Sequence, residues 1–263
     1  MCENRISVVQ AKLRASCIVR RLPKRYNWVF VLPAEKHMAV PTFNRGRDAA
    51  QEAAILKGLS AGEMNLVMSR ASRRAAPKGA FIFRQGEPAE EMFLLVAGRI
   101  RLVETTAEGR EVLVRFVQPG QVFGDRAAIA GSSFGASASC DAPVQVYVWT
   151  TKTIALLLRE IPALSANLLA ITARHQHYAR ERYRLLATAS VSRRIRWALT
   201  DLSRSIGVRH RNTTILAARA IQRDIADLAG TTVYTVNRAL SGYEHRGILS
   251  RERGRIILLR ALR

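Results

Sequence analysis

The chain has 263 residues of which 48% are hydrophobic, enough to bury one or two cores, and no apolar run approaches the ~20 residues that a membrane helix needs, which excludes a membrane-spanning helix. Its formal net charge of +22 is uneven: residues 188–263 hold 15 Lys and Arg against 5 Asp and Glu, whereas 56–150 hold 11 against 9. That is the distribution of a polyanion-binding module joined to an ordinary globular domain; the excess of Arg over Lys, 36 to 6, is also what a GC-rich coding sequence produces.

Residues 1–52 show no sustained period, contain Pro33 and Pro41, and are expected to be a basic, weakly ordered extension. Met38 is a second candidate start, so residues 1–37 need not be translated. No segment here has the length of a signal-peptide core, and Cys2, Cys17 and Cys140 form neither an even disulfide set nor a C-x-x-C pair, so the expected compartment is the reducing cytoplasm.

Order is expected from residue 53. Ser60 and Glu63 spell a capping box that opens a helix. After Pro77 the period changes to short strands at 80–83, 92–96, 99–103, 112–117 and 144–149, with a glycine at about every tenth residue. Such punctuation predicts a small antiparallel barrel or jelly roll over 53–160. A helix from Thr150 to Arg159 follows, then a long one to about Ala187. Along it Leu164, Ile171, Tyr178 and Leu185 recur every seven residues, with Leu168, His175 and Arg182 on the alternate seam. The heptad predicts a dimer interface of Leu164, Leu168, Ile171, His175, Tyr178 and Leu185, within a dimerisation helix and hinge over 161–189; the same stripe packed on its own barrel is the competing reading. Ser190 supplies a hydroxyl cap for the next helix, Val191 to about Ile206.

Residues 190–263 end the chain. A helix from Gln222 to Ala229 is cut by Gly230, and Thr231 and Thr232 offer a cap to a second helix with Val233, Val236 and Leu240 on its apolar side. Its other face carries Tyr234, Asn237 and Arg238. Arg matches the two major-groove acceptors of guanine, Asn pairs with adenine in two places, and Tyr packs on a thymine methyl or bonds a phosphate. Two helices around a glycine equally describe an αα-corner with a solvated face. The basic hairpin that follows, with Arg251, Arg253 and Arg255 near its tip, favours a winged helix lying on a phosphate backbone. The fold class is therefore α+β: an N-terminal antiparallel β-barrel or jelly roll, a long dimerisation helix and a C-terminal winged helix-turn-helix. Two other functions compete. One is an interaction module whose basic C-terminus binds RNA or DNA without sequence preference. The other is an enzyme, for which no nucleophile–base motif, H-E-x-x-H or phosphate-cradling Gly-Lys-Ser loop is present.

Four stretches in order, 83–89 (FRQGEPA), 93–100 (FLLVAGRI), 117–124 (VQPGQVFG) and the winged helix, resemble the Crp/Fnr family of bacterial transcription regulators over about Leu56 to Leu259. The resemblance implies a cyclic-nucleotide-binding-type barrel, a homodimer on a two-fold DNA operator, and RNA polymerase as a further partner. It also implies a pocket at Gly124, Asp125, Arg126, Phe134 and Gly135. Nucleotide-binding members have Gly-Glu and then Arg-Ser at these places. Here Asp125 is one methylene shorter, and the Arg-Ser positions read Phe134-Gly135. The family's adenine-contacting Thr-Ser pair reads Ala179-Arg180. A buried phosphate without its cation is costly, so no cyclic nucleotide is expected. Cys2 and Cys17 are too few and too far apart for an iron–sulfur cluster. His175 and His177 fall where haem-sensing members place a ligand, but one lies on the seam and one off it, so haem is not expected either. In the recognition helix the family's frequent Glu-x-x-Ser-Arg is Tyr234-Thr235-Val236-Asn237-Arg238, which keeps the guanine-reading Arg and predicts a different half-site.

Overall fold

A computed structural model describes residues 53–216, 221–252 and 254–259, and the two-residue strand β1 (Phe30–Val31), which pairs with Ala75 and Arg74. The rest of the N-terminal extension lies outside the described residues. A 3-10 turn (Ala54–Leu56) leads to α1 (Ala61–Ser69), which opens on the expected box: Ser60 Oγ accepts from the Glu63 N–H at 3.3 Å while a Glu63 oxygen accepts from the Ser60 N–H at 2.8 Å.

Strands β2 (Ser72–Ala76), β3 (Phe81–Phe83), β4 (Glu91–Ala97), β5 (Ile100–Thr105), β6 (Glu111–Val117), β7 (Val122–Phe123), β8 (Ser137–Cys140) and β9 (Val144–Thr150) follow, with a short helix α2 (Asp125–Ala130) after β7. They form two antiparallel sheets, ordered β1-β2-β9-β4-β7 and β3-β8-β5-β6, the two layers of a jelly roll. The five strands spelled by β-branched and aromatic runs stand within one or two residues of expectation. Strands β2, β7 and β8 and helix α2 carry no such signal. Ser72–Ala76 is a strand because β9 pairs with it along its length, and Ser137–Cys140 because β5 does, tertiary pairing overriding weak propensity.

The sandwich interior is filled by Phe83, Phe93, Leu95, Phe123, Phe134 and Val146. Outside the first sheet, Met92, Leu94 and Trp149 pack against α1, α3 (Thr151–Glu160) and α4 (Pro162–Thr188), and Trp149 Nε1 donates to the Val67 carbonyl at 2.8 Å. This second core takes Leu164, Leu168 and Ile171 of α4, and Leu185 is buried as well. The stripe expected at a dimer seam is thus covered by the chain itself. His175 continues it beside Asp125, and Tyr178 packs on Trp197 with ring centroids 5.7 Å apart while donating to Asp201 at 2.8 Å. A seven-residue repeat marks an apolar stripe whatever covers it, and here the adjoining barrel and its helices cover Leu164, Leu168 and Ile171 while Trp197 covers Tyr178. A second stripe with the same spacing, Ala166, Leu169, Ala173, Gln176, Arg180, Tyr183 and Ala187, is exposed; Leu169 and Tyr183 are 72% and 73% accessible.

Beyond the Ser190 cap, α5 (Val191–Ser205) leads to β10 (Val208–His210) and β11 (Thr213–Leu216). Helices α6 (Ile221–Ala229) and α7 (Val233–His245) and strands β12 (Leu249–Glu252) and β13 (Arg255–Leu258) complete the chain. The expected hairpin β12–β13 gains β11 and β10 as outer strands in a sheet ordered β10-β11-β13-β12. Its core, centred on Leu199, Ile225, Val236, Leu240 and Ile256, also takes in Val103, Leu113 and Phe116 from the barrel.

Candidate nucleic-acid interface

Helix α6 is a scaffold: Ile225, Ala226, Leu228 and Ala229 are buried, and even Asp224 and Asp227 are closed off from solvent. Gly230 then takes φ +58°, a left-handed conformation that a side chain would strain, and reverses the chain against Leu186 of α4. Thr232 caps α7, its Oγ1 accepting from the Thr235 N–H at 3.2 Å, as its hydroxyl predicts. Thr231 is half-buried, and its N–H donates to the Ala226 carbonyl at 3.0 Å, so it shapes the turn. Val236, Leu240 and Tyr243 anchor the inner face of α7. On the outer face Tyr234, Asn237 and Arg238, one helical turn apart, are exposed together, Tyr234 at 76%. These are donors and acceptors of the right reach, with no protein surface above them.

The wing divides the three expected arginines. Arg255 is exposed on β13, and Arg253 lies outside the described residues. Arg251 is engaged within the protein: its Nε and Nη2 donate to Glu244 Oε2 at 2.9 and 2.7 Å, Nη2 also to Ser241 Oγ at 3.0 Å, and its N–H to Glu244 Oε1 at 3.0 Å. This charge-assisted pair, in which Nε and Nη2 share one carboxylate oxygen and the Arg251 N–H takes the other, draws the Glu244 carboxyl below the usual range and clamps the wing to the end of α7, so Arg251 is a brace rather than a free phosphate contact. The sequence could not show it, because the acid is seven residues upstream on another element. A further cation escaped the sequence reading. Arg194, in the Ser-Arg-Arg after the Ser190 cap, reaches the Gly230 carbonyl at 3.4 Å and ties α5 to the turn.

Inside the barrel, Phe134 lies stacked on Phe83, with centroids 3.7 Å apart and planes at 12°, and Phe93 and Phe123 complete the cluster. Gly124 takes φ +74° at the head of α2, and a Cβ there would stand 3.1 Å from Phe93 and 3.2 Å from Phe134. Asp125 is buried, its Oδ2 lacks a hydrogen-bond partner, and its carboxyl is held above the ordinary range by desolvation. Its neighbour His175 is 3.8 Å away at Nδ1, too far for a hydrogen bond. Arg126 and Gly135 are exposed. Of the five expected pocket residues, Gly124 and Phe134 meet, Asp125 faces His175 of α4 with Arg126 acting on its charge, and Gly135 is exposed. Phe134, at a position where the resemblance implies a phosphate-pairing Arg, stacks in the aromatic cluster and brings no cation.

Between barrel and DNA-reading module the contacts are ionic as well as apolar. Arg101 pairs with Asp224 at 2.5 Å and Arg110 with Asp227 at 3.1 Å, and the Leu113 N–H donates to Asp227 Oδ2 at 3.2 Å. Arg182 of α4 donates to the carbonyls of Asp227 at 2.7 Å and of Leu113 and Val114 at 3.3 Å. Burial pushes the Asp224 carboxyl up to about 6, against the pull of Arg101.

Residues 73–160 match the cyclic nucleotide-binding domain family, and residues 193–263 match the Crp-like helix-turn-helix domain family. The chain is 28% identical to the cyclic AMP receptor protein of Thermus thermophilus over 200 residues, 74% of this chain and 87% of that one. It is 26% identical to the nitrogen fixation regulation protein FixK of Azorhizobium caulinodans over 87% of this chain and 91% of that one. The structure of FixK2 from Bradyrhizobium japonicum superposes with a TM-score of 0.64 at 26% identity, covering 73% of this chain and 93% of that one. Among the described residues no single helix is long and apolar enough to cross a membrane.

Proposed function

The chain belongs to the Crp/Fnr family of transcription regulators, and we propose that it acts as a cytoplasmic homodimer that reads a two-fold operator through α7 without a cyclic nucleotide. The observation that carries this reading is the exposed set Tyr234, Asn237 and Arg238 on a helix capped by Thr232 and flanked by the Arg255 wing. Arg238 takes a guanine, Asn237 an adenine, and Tyr234 replaces the family's acid, so the half-site departs from the one an acid would select. A dimer places its two recognition helices one DNA turn apart, ~34 Å. The exposed stripe of α4 supports it: Leu169 and Tyr183 are apolar side chains with no cover in one chain. RNA polymerase is the further partner that the family membership suggests.

Although one relative is named a cyclic AMP receptor, the stacked Phe134 and the outward Arg126 support a nucleotide-independent regulator. Selection of bound genomic fragments by the purified protein, with and without cyclic AMP, tests this directly. The expected result is one palindrome recovered equally in both conditions. Strict dependence on the nucleotide, or steep salt dependence with no sequence preference, refutes the reading. Arg238→Ala should lose one guanine preference at ~1–3 kcal/mol. Leu169→Glu should sediment as a monomer and lose the palindrome; a dimer unaffected by it removes the α4 stripe from the interface.

A further inference from the structure

A cavity of about 350 Å³ lies where the barrel, α4 and α5 meet, apart from the aromatic-filled barrel interior. Three guanidinium groups line it, one from each element: Arg115 of β6, Arg174 of α4 and Arg204 of α5. Among the described residues none of the three forms an ion pair within 4.0 Å. Arg115 is the telling one. It is half-buried, yet its fork meets only neutral acceptors at the long end of hydrogen bonding: the carbonyls of Phe116 and Val122 at 3.4 Å and Gln121 Oε1 at 3.3 Å. A guanidinium has five donors in a plane, no acceptor and a charge it does not give up, so withdrawal from water calls for an anion. Asp125 acts on Arg115 only from beyond ion-pair distance.

Asp201 attracts Arg204, but among the described residues no carboxylate reaches Arg115 within ion-pair distance. The lining acid, Asp201, already accepts from the Tyr178 hydroxyl at 2.8 Å. His175 stays neutral, its pKa pushed down to about 4 by burial and by Arg115, Arg126 and Arg174, and so offers a ring nitrogen without charge. The remaining wall is apolar at Ile171 and Val122. Three cations against one engaged carboxylate, beside an aliphatic wall, suit a ligand with an acid head and an apolar body. The volume lies at the small end of the range usual for small-molecule pockets, about 300–1,000 Å³, and admits a small organic acid.

We propose that this junction cavity binds a small organic carboxylate, whose acid group is gripped by Arg115 together with Arg174, with Arg204 adding to the positive field. Occupied, it bridges the barrel and the long helix to α5, the first helix of the DNA-reading module, and alters operator affinity; this rests on the reading of the chain as a DNA-binding regulator. The test titrates hexanoate, adipate and the uncharged hexanamide into the full chain by calorimetry, and into the Arg115→Gln and Arg174→Gln proteins. Operator affinity is measured in the same preparations with and without adipate. At least one acid should bind, the amide at least about tenfold more weakly, and each variant should weaken the acid by a similar factor. Operator affinity should change by about fivefold or more at saturation. Arg174 is exposed, so its variant keeps the test meaningful if Arg115→Gln melts early. The proposal falls if neither acid binds, if the amide binds equally well, or if Arg174→Gln binds the acid unchanged; unmoved operator affinity removes the coupling. Tight operator binding without carboxylate binding leaves the DNA reading intact, whereas carboxylate binding by a protein with no sequence preference removes the DNA reading alone.

Discussion

The outer face of α7 and the interior of the barrel are treated in opposite ways. On α7, polar side chains that could satisfy one another are held apart and turned outward, and Tyr234, Asn237 and Arg238 meet only solvent. In the barrel interior, four phenylalanines, Phe83, Phe93, Phe123 and Phe134, pack ring against ring. A surface that binds a partner keeps its donors unpaired, and an interior that serves stability fills with carbon.

The strongest way to break the comparison is to reopen the barrel. Phe134→Ala removes a ring stacked on Phe83 and should cost about 3–5 kcal/mol in denaturant unfolding. Were the loss small, the interior would be loosely filled and the contrast with α7 would fail.

Acid sharpens the comparison next, because two buried groups pull in opposite senses. His175, held down to about 4, takes up its proton later in the folded than in the unfolded chain, so lowering pH from 7 to 5 costs stability through it, roughly 2 kcal/mol. Asp224, held up to about 6, binds its proton earlier in the folded chain, so the same change adds stability, roughly 1 kcal/mol. His175→Asn should therefore gain on wild type at pH 5 relative to pH 7, and Asp224→Asn should fall behind it, in melting temperatures compared at the two values. The smallest effect belongs to the wing. Arg255→Ala should weaken all DNA sequences alike and lower the salt slope by about 1, leaving the selected palindrome unchanged.

Most of the output end was legible because its determinants are local. Gly230 must reverse the chain, Thr232 caps three residues ahead, and period 3.6 separates Val236 and Leu240 from Asn237 and Arg238. What escaped depends on partners distant in sequence. Nothing local distinguishes Arg251, which braces Glu244, from Arg255, which is exposed. The heptad of α4 marks a stripe that the barrel side and Trp197 of α5 cover, and the outward stripe was masked by small and charged residues such as Ala166, Ala173 and Arg180. Strands β2 and β8, short and poor in β-formers, exist because β9 and β5 pair with them.

Asp227 illustrates what such distant contacts mean for anyone who would take the molecule apart. Its carboxylate is held by Arg110 and the Leu113 N–H of the barrel, its carbonyl by Arg182 of the long helix, and Val103, Leu113 and Phe116 sit in the same core as the recognition helix. A reading head built this way is not an interchangeable part. Fused to a foreign barrel at Ser190, residues 190–263 would carry two buried acids without their cations and an uncovered apolar patch, so transplanting the specificity requires moving the β5–β6 hairpin with it.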